Sequence, residues 1–121
     1  MKPMSGILGE VYAARFLRDR GYSLRAANFG CRFGELDIVA SPPGQDDLLA
    51  VVEVKARLEG SMLRPIEAVT AQKVERIKLA TRVYLQAAGL KDVQLRFDVI
   101  EVWLNEQFEV TRVEHLPNAY T

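Results

Sequence analysis

Apolar positions in this chain recur with two periods, and each change of period marks a new element. Across residues 5–20, Ile7, Val11, Ala14 and Leu17 follow the spacing of one helix face. Ser5 is the expected N-cap of this helix and Gly21 its expected stop. Glu10 projects into the stripe, because Ala14 and Leu17 lie four and seven residues further on. An acid that faces a core needs a partner or a function.

The period then shortens to two. Strands are predicted over residues 22–29, 35–40 and 48–56. The last two are separated by a turn-forming run, Ser41-Pro42-Pro43-Gly44-Gln45-Asp46-Asp47. Such short connections predict an antiparallel meander. Residues 57–69 read as a longer irregular connection containing Gly60 and Pro65, a length at which loops often carry function. A second helix is predicted from Thr70 as N-cap to Ala88, with Gly89 ending it; Val74, Ile77, Ala80, Val83, Tyr84 and Ala87 form its apolar face. Residues 93–104 carry a strong strand pattern, and residues 107–113 would pair with it through Asn105-Glu106. The intervening helix makes the third and fourth strands parallel neighbours. The order αβββαβ, with a fifth strand added, is an α/β fold with a central mixed sheet flanked by helices.

Charges interrupt two of the apolar strands. Gly34-Glu35-Leu36-Asp37-Ile38-Val39-Ala40 and Ala50-Val51-Val52-Glu53-Val54-Lys55 are both built to be buried, yet both carry charges at alternate positions. Residues i and i+2 of a strand share a face, so Glu35 lies with Asp37, and Glu53 with Lys55. If the strands are neighbours, carboxylates and an ammonium meet at one place. Oxygen ligands suit Mg²⁺ or Mn²⁺. Asp37 and Glu53 are the chosen ligands, with the backbone carbonyl of Val54 as a third oxygen. Lys55 is placed to orient or deprotonate a water, and Glu10 to bind a second ion or a metal-bound water. Glu35, at the strand start, is the weaker candidate. This equipment suits a metal-dependent phosphodiesterase.

Composition bounds the reading. The 121 residues fit one domain, with a core over about residues 5–113 and a short C-terminal tail. Formal net charge is zero, with 16 basic and 16 acidic residues, which counts against nucleic-acid binding by bulk charge alone. The charge is uneven, however: Arg57, Arg64, Lys73, Arg76, Lys78 and Arg82 make the stretch after the Glu-Val-Lys strand basic. Arg32, Arg57, Lys73 and Arg76 are the candidate phosphate contacts; Arg25 could also reach a phosphate. The single cysteine, Cys31, excludes an intramolecular disulfide and a cysteine zinc site. No apolar run approaches the roughly 20 residues of a membrane span. The N-terminus lacks the apolar run of a secretory signal, so the cytoplasm is the expected compartment.

Each candidate has a plainer rival. A Glu-x-Lys pair is commonly a same-face salt bridge, though the flanking Ala50-Val51-Val52 argues against a solvated strand. Glu10 could be a counterion of Lys55 or an arginine. A basic helix face such as that of Lys73 and Arg76 is commonly just solvated. Asp98 is expected to be a structural ion-pair partner, Cys31 to be inert, and His115, in a polar tail, to be functionally silent.

The pieces in order are Gly6-Ile7-Leu8-Gly9-Glu10, Gly34-Glu35-Leu36-Asp37-Ile38-Val39-Ala40, Val52-Glu53-Val54-Lys55-Ala56-Arg57, Glu67-Ala68-Val69-Thr70 with Lys73, and Arg96-Phe97-Asp98-Val99. Together they resemble the YraN-like family of small bacterial proteins, related to archaeal Holliday junction resolvases and the PD-(D/E)xK superfamily. The resemblance implies a restriction-endonuclease-like αβββαβ core. It maps the family's acid–acid–lysine set onto Asp37, Glu53 and Lys55, and supports Glu10 as the helix-one acid. Leu36 stands where the motif has proline, and Asn28-Phe29-Gly30-Cys31-Arg32 carries less arginine than the family usually has. The implied activity is Mg²⁺- or Mn²⁺-dependent DNA cleavage, with branched or flapped DNA as partner and no membrane. A homodimer would suit symmetric cutting of two strands. Two alternatives stand beside it: a non-catalytic nucleic-acid or protein-binding module, and a structural protein whose charges form a buried ion-pair network.

Overall fold

A computed structural model describes residues 3–59 and 70–121. Most of the predicted irregular connection, with Gly60, Arg64 and Pro65, lies outside the described residues. The elements are α1 (Met4–Asp19), β1 (Ser23–Cys31), β2 (Gly34–Ser41), β3 (Leu48–Leu58), α2 (Ala71–Ala88), β4 (Gln94–Leu104) and β5 (Val110–Tyr120). The five strands form one mixed sheet in the order β1-β2-β3-β4-β5. β1, β2 and β3 are the expected antiparallel meander, β3 and β4 run parallel, and β5 returns antiparallel to β4.

Strand alternation sends neighbouring residues to opposite faces of this sheet, and each face acquires its own core. Ala50, Val52, Ile100, Val102 and Leu104 pack with Ala13 and Leu17 of α1. Leu49, Val51 and Phe97 pack with Ile77, Ala80 and Tyr84 of α2. The sheet is therefore covered by one helix on each side. Thr70 caps α2 as predicted, its hydroxyl accepting the Lys73 N–H at 3.1 Å, and Gly89 ends the helix in a left-handed conformation (φ +66°).

The first helix departs from its predicted register. It begins at Met4 with Pro3 at the N-cap position and no side-chain cap, so Ser5 lies inside the helix. The buried ridge is Gly9, Ala13 and Leu17, whereas Ile7 and Val11 are 43% and 57% exposed. The reason is steric. A β-carbon added to Gly9 would lie 3.1 Å from the β-carbon of Ala56 on β3, so α1 presses its smallest residues against the sheet. Glu10 follows this ridge and is half-buried at its edge.

The C-terminal segment also differs. The last strand runs Val110–Tyr120 rather than residues 107–113, so the expected tail is part of the sheet. His115 lies in this strand rather than in a tail: its Nε2 lies 2.8 Å from Asp98 Oδ2, and its ring meets Phe16 and Tyr22 edge-on. Asp98, fully buried, also accepts two hydrogen bonds from Arg96 (2.9 and 2.8 Å) and one from the Asn118 backbone N–H (3.0 Å). Asp98 is thus the ion-pair partner the sequence suggested, and it clamps β5 to β4.

Burial acts to raise the Asp98 pKa, but hydrogen bonds from His115, Arg96 and Asn118 outweigh it and hold the carboxyl below its usual value. Its contribution to stability is complete above the unfolded value of about 3.9 and is lost as pH falls through the lower folded value. Asp98→Asn is expected to cost about 3–5 kcal/mol at neutral pH, by leaving Arg96 short of its countercharge. Urea unfolding as a function of pH should show this deficit shrinking below pH ~4.

Candidate metal centre and phosphate cleft

The sheet forks at one place. Between β2 and β3 the paired register runs only from Ala40–Ala50 to Ile38–Val52. Beyond it β2 stays with β1, through Leu36–Phe29 and Glu35–Gly30, and β3 stays with β4, through Glu53–Val99 and Lys55–Glu101. The Val54 backbone N–H donates to Asp37 Oδ2 at 2.9 Å. A side chain thus closes what the ladder leaves open.

Acidic groups gather in this fork. Carboxylate oxygens of Glu10, Glu35 and Asp37 lie within 4.8 Å of one another. Glu10 comes from α1 and the other two from β2, so the group joins the helix to the strand at the fork. Glu53 continues the row of Leu49 and Val51, and so projects toward α2. An open cleft of about 510 Å³ is lined by Glu35, Asp37 and Glu53 on one wall and by Thr70, Gln72, Lys73 and Arg76 of the α2 N-terminal region on the other.

Two lysines balance these acids. Lys73 Nζ pairs with Glu53 Oε1 at 2.5 Å. Burial works to lower the Lys73 pKa, but the hydrogen bond and charge of Glu53 win, and the ammonium is held above its usual value. Lys55 moves the other way. Burial first, then the positive charge of Lys73, lower its pKa against the opposing pull of Glu53. A lysine so tuned sheds its proton more readily than a solvated one.

Of the predicted site residues, the structure brings Glu10 and Asp37 together and puts Glu53 in the same cleft, with Lys55 and Lys73 in electrostatic contact with Glu53. Val54 enters through its N–H. Arg76 lines the cleft, whereas Arg57 points its Nε at buried Glu101 (3.4 Å). Arg32 sits in the β1–β2 turn, its guanidinium 4.7 Å from the Phe33 ring centroid. Glu35, the weaker candidate in the sequence, is a full member of the acidic group; its shared face with Asp37 was the usable signal. Tyr120 had no such signal. Its buried hydroxyl has no hydrogen-bond partner among the described residues, and burial, then the charges of Glu53, Asp98 and Asp37, keep it protonated.

Fold and site together define a mixed α/β protein with an acidic, lysine-flanked cleft at a fork in its sheet. A family model described as "Uncharacterised protein family UPF0102" matches residues 9–102, a span that contains every acid and lysine of the cleft. A UPF0102 protein of Caldanaerobacter subterraneus subsp. tengcongensis is 38% identical over 120 residues, covering 98% of this chain and 96% of that protein. One from Dictyoglomus turgidum is 36% identical over 115 residues, 95% of each chain. One from Porphyromonas gingivalis is 42% identical over 115 residues, 95% of this chain and 82% of its own. The chain belongs to the UPF0102, YraN-like, family.

Lys73→Gln removes the positive neighbour of Lys55 and frees Glu53 to stabilise its charged form. Both changes raise the Lys55 pKa. Titration of the lysine side-chain resonances by NMR should show Lys55 ionising at higher pH in the variant than in the parent, with Lys55→Met identifying its signal.

Proposed function

We propose that this protein is a divalent-metal-dependent endonuclease that hydrolyses DNA phosphodiester bonds, built on a restriction-endonuclease-like core. The observation that carries the reading is the fork in the sheet, where Glu10, Glu35 and Asp37 converge and Glu53, with Lys55 in its field, lines the same cleft. An all-oxygen donor set of this kind fits Mg²⁺ or Mn²⁺. Asp37, Glu53, Glu10 and Glu35 would hold the ion, with the Val54 carbonyl as a further oxygen. When bound, such an ion supplies Lewis-acid polarisation of the phosphate and a water of lowered pKa.

The chain's own groups do the rest. The Val54 N–H fixes the orientation of Asp37. Lys55, with its lowered pKa, holds or accepts a proton of the attacking water. Lys73 and Arg76, on the facing wall, neutralise the phosphate. With zero net charge on the protein, DNA affinity rests on these few local contacts and falls with salt. Branched or flapped DNA is the favoured substrate, and a two-fold dimer would suit paired cuts. The Lys73–Glu53 bridge favours one rival, a binding module in which the charges only compensate each other.

Cleavage of labelled duplex, single-stranded, flapped and four-way DNA, with Mg²⁺, Mn²⁺ or EDTA, separates the two. The endonuclease reading expects cutting that requires metal. It also expects Asp37→Asn, which keeps an acceptor for the Val54 N–H, to lose at least about 100-fold in rate. DNA binding that is indifferent to metal and to Asp37→Asn or Glu53→Gln, without cutting, would establish the binding module instead.

A further inference from the structure

We infer that the turn between β1 and β2 is a stacking platform for an unpaired DNA base, with Phe33 as its surface and Arg32 as its cationic partner. The inference rests on the nuclease reading above and names the feature of the substrate that the cleft selects. Cys31 and Gly34 are register partners, so the strands reverse through Arg32 and Phe33 alone. Gly34 follows with φ +149°, a conformation that side chains rarely adopt, so glycine is required where the turn enters β2. Phe33 is half-buried and is a member of neither of the two hydrophobic cores. Its described ring contact is the guanidinium of Arg32, itself exposed. The ring sits at the end of a two-residue turn, outside both cores. With its neighbouring arginine it presents the surface on which nucleobases stack.

The position relative to the cleft gives the platform its use. Gly34 and Glu35, the next two residues, line the cleft, and a β-carbon added to Gly34 would lie 4.0 Å from that of Arg76 on α2. Phe33 immediately precedes β2 and lies four residues from Asp37, at most about 13 Å at the strand rise. A base held there flanks the phosphate over the carboxylates. Bases in an intact duplex are already stacked, so a ring that needs an open base face binds a flap, a junction or a single strand. A protein of zero net charge also gains from this contact, because stacking, unlike phosphate neutralisation, does not fade with salt.

The test is binding, with Ca²⁺ in place of Mg²⁺ to neutralise the carboxylates without supporting cutting, of flapped and duplex DNA carrying 2-aminopurine at the unpaired or the equivalent paired position. The parent protein should change the fluorescence of the unpaired probe and prefer the flap. Phe33→Leu, which keeps apolar bulk without a π-face, should lose the fluorescence change and about tenfold in flap affinity. Its salt slope and duplex affinity should stay unchanged. Phe33→Tyr should restore both the fluorescence change and the affinity, and thermal melting of both variants should match the parent. Equal flap binding and equal fluorescence response by the parent and Phe33→Leu would overturn the inference while leaving the nuclease reading in place. No binding of any DNA by the parent would overturn both.

Discussion

Much of this molecule follows from where one backbone N–H finds its acceptor. The Val54 N–H donates to the carboxylate of Asp37, one residue past the last paired step of β2 and β3. A buried amide without a partner would be costly, and a continuing ladder would supply a carbonyl instead. Using a side chain here lets the two strands part while the amide stays satisfied. At the parting Glu10 joins the acids of β2, and the cleft opens toward α2.

A fork lined with acids must be compensated, because like charges in a half-buried space repel and lose hydration. The fold answers with an alternation of sign. Glu53 takes Lys73, and burial together with the charge of Lys73 lowers the pKa of Lys55. On the other side of the sheet the same rule is applied more completely. Asp98 is buried, and Arg96, His115 and the Asn118 N–H surround it. That cluster is closed and holds a strand in place, whereas the cluster at the fork opens into a cleft. This difference separates a structural ion network from a candidate reactive one more clearly than residue type does.

The small residues of α1 serve the same geometry. Gly9 packs against Ala56, one residue beyond Lys55, and Glu10 follows Gly9 directly. Close approach of helix to sheet therefore sets how far the Glu10 carboxylate reaches. Exposed Ile7 and Val11 show that proximity, rather than hydrophobicity alone, chose the buried face. A stripe read from apolar character ranks isoleucine and valine above glycine. The sheet ranks them the other way, because only glycine and alanine admit the backbone so closely.

The sequence by itself determined the order of elements, the mixed sheet, the crossover between β3 and β4, and the pairing of Glu35 with Asp37 and Glu53 with Lys55. These are consequences of local periodicity, short turns and strand alternation, all of which act over a few residues. Tertiary structure alone decided that Lys73 would reach Glu53, that Arg57 would turn to Glu101, and that Tyr120 would sit in the field of the site's acids. It also made His115 part of a buried clamp, in a segment whose polar composition hid a sheet strand. Each of those contacts joins residues far apart in the chain. Their partners are fixed by how helices and strands pack and where a ladder stops, and no local pattern of residues records that.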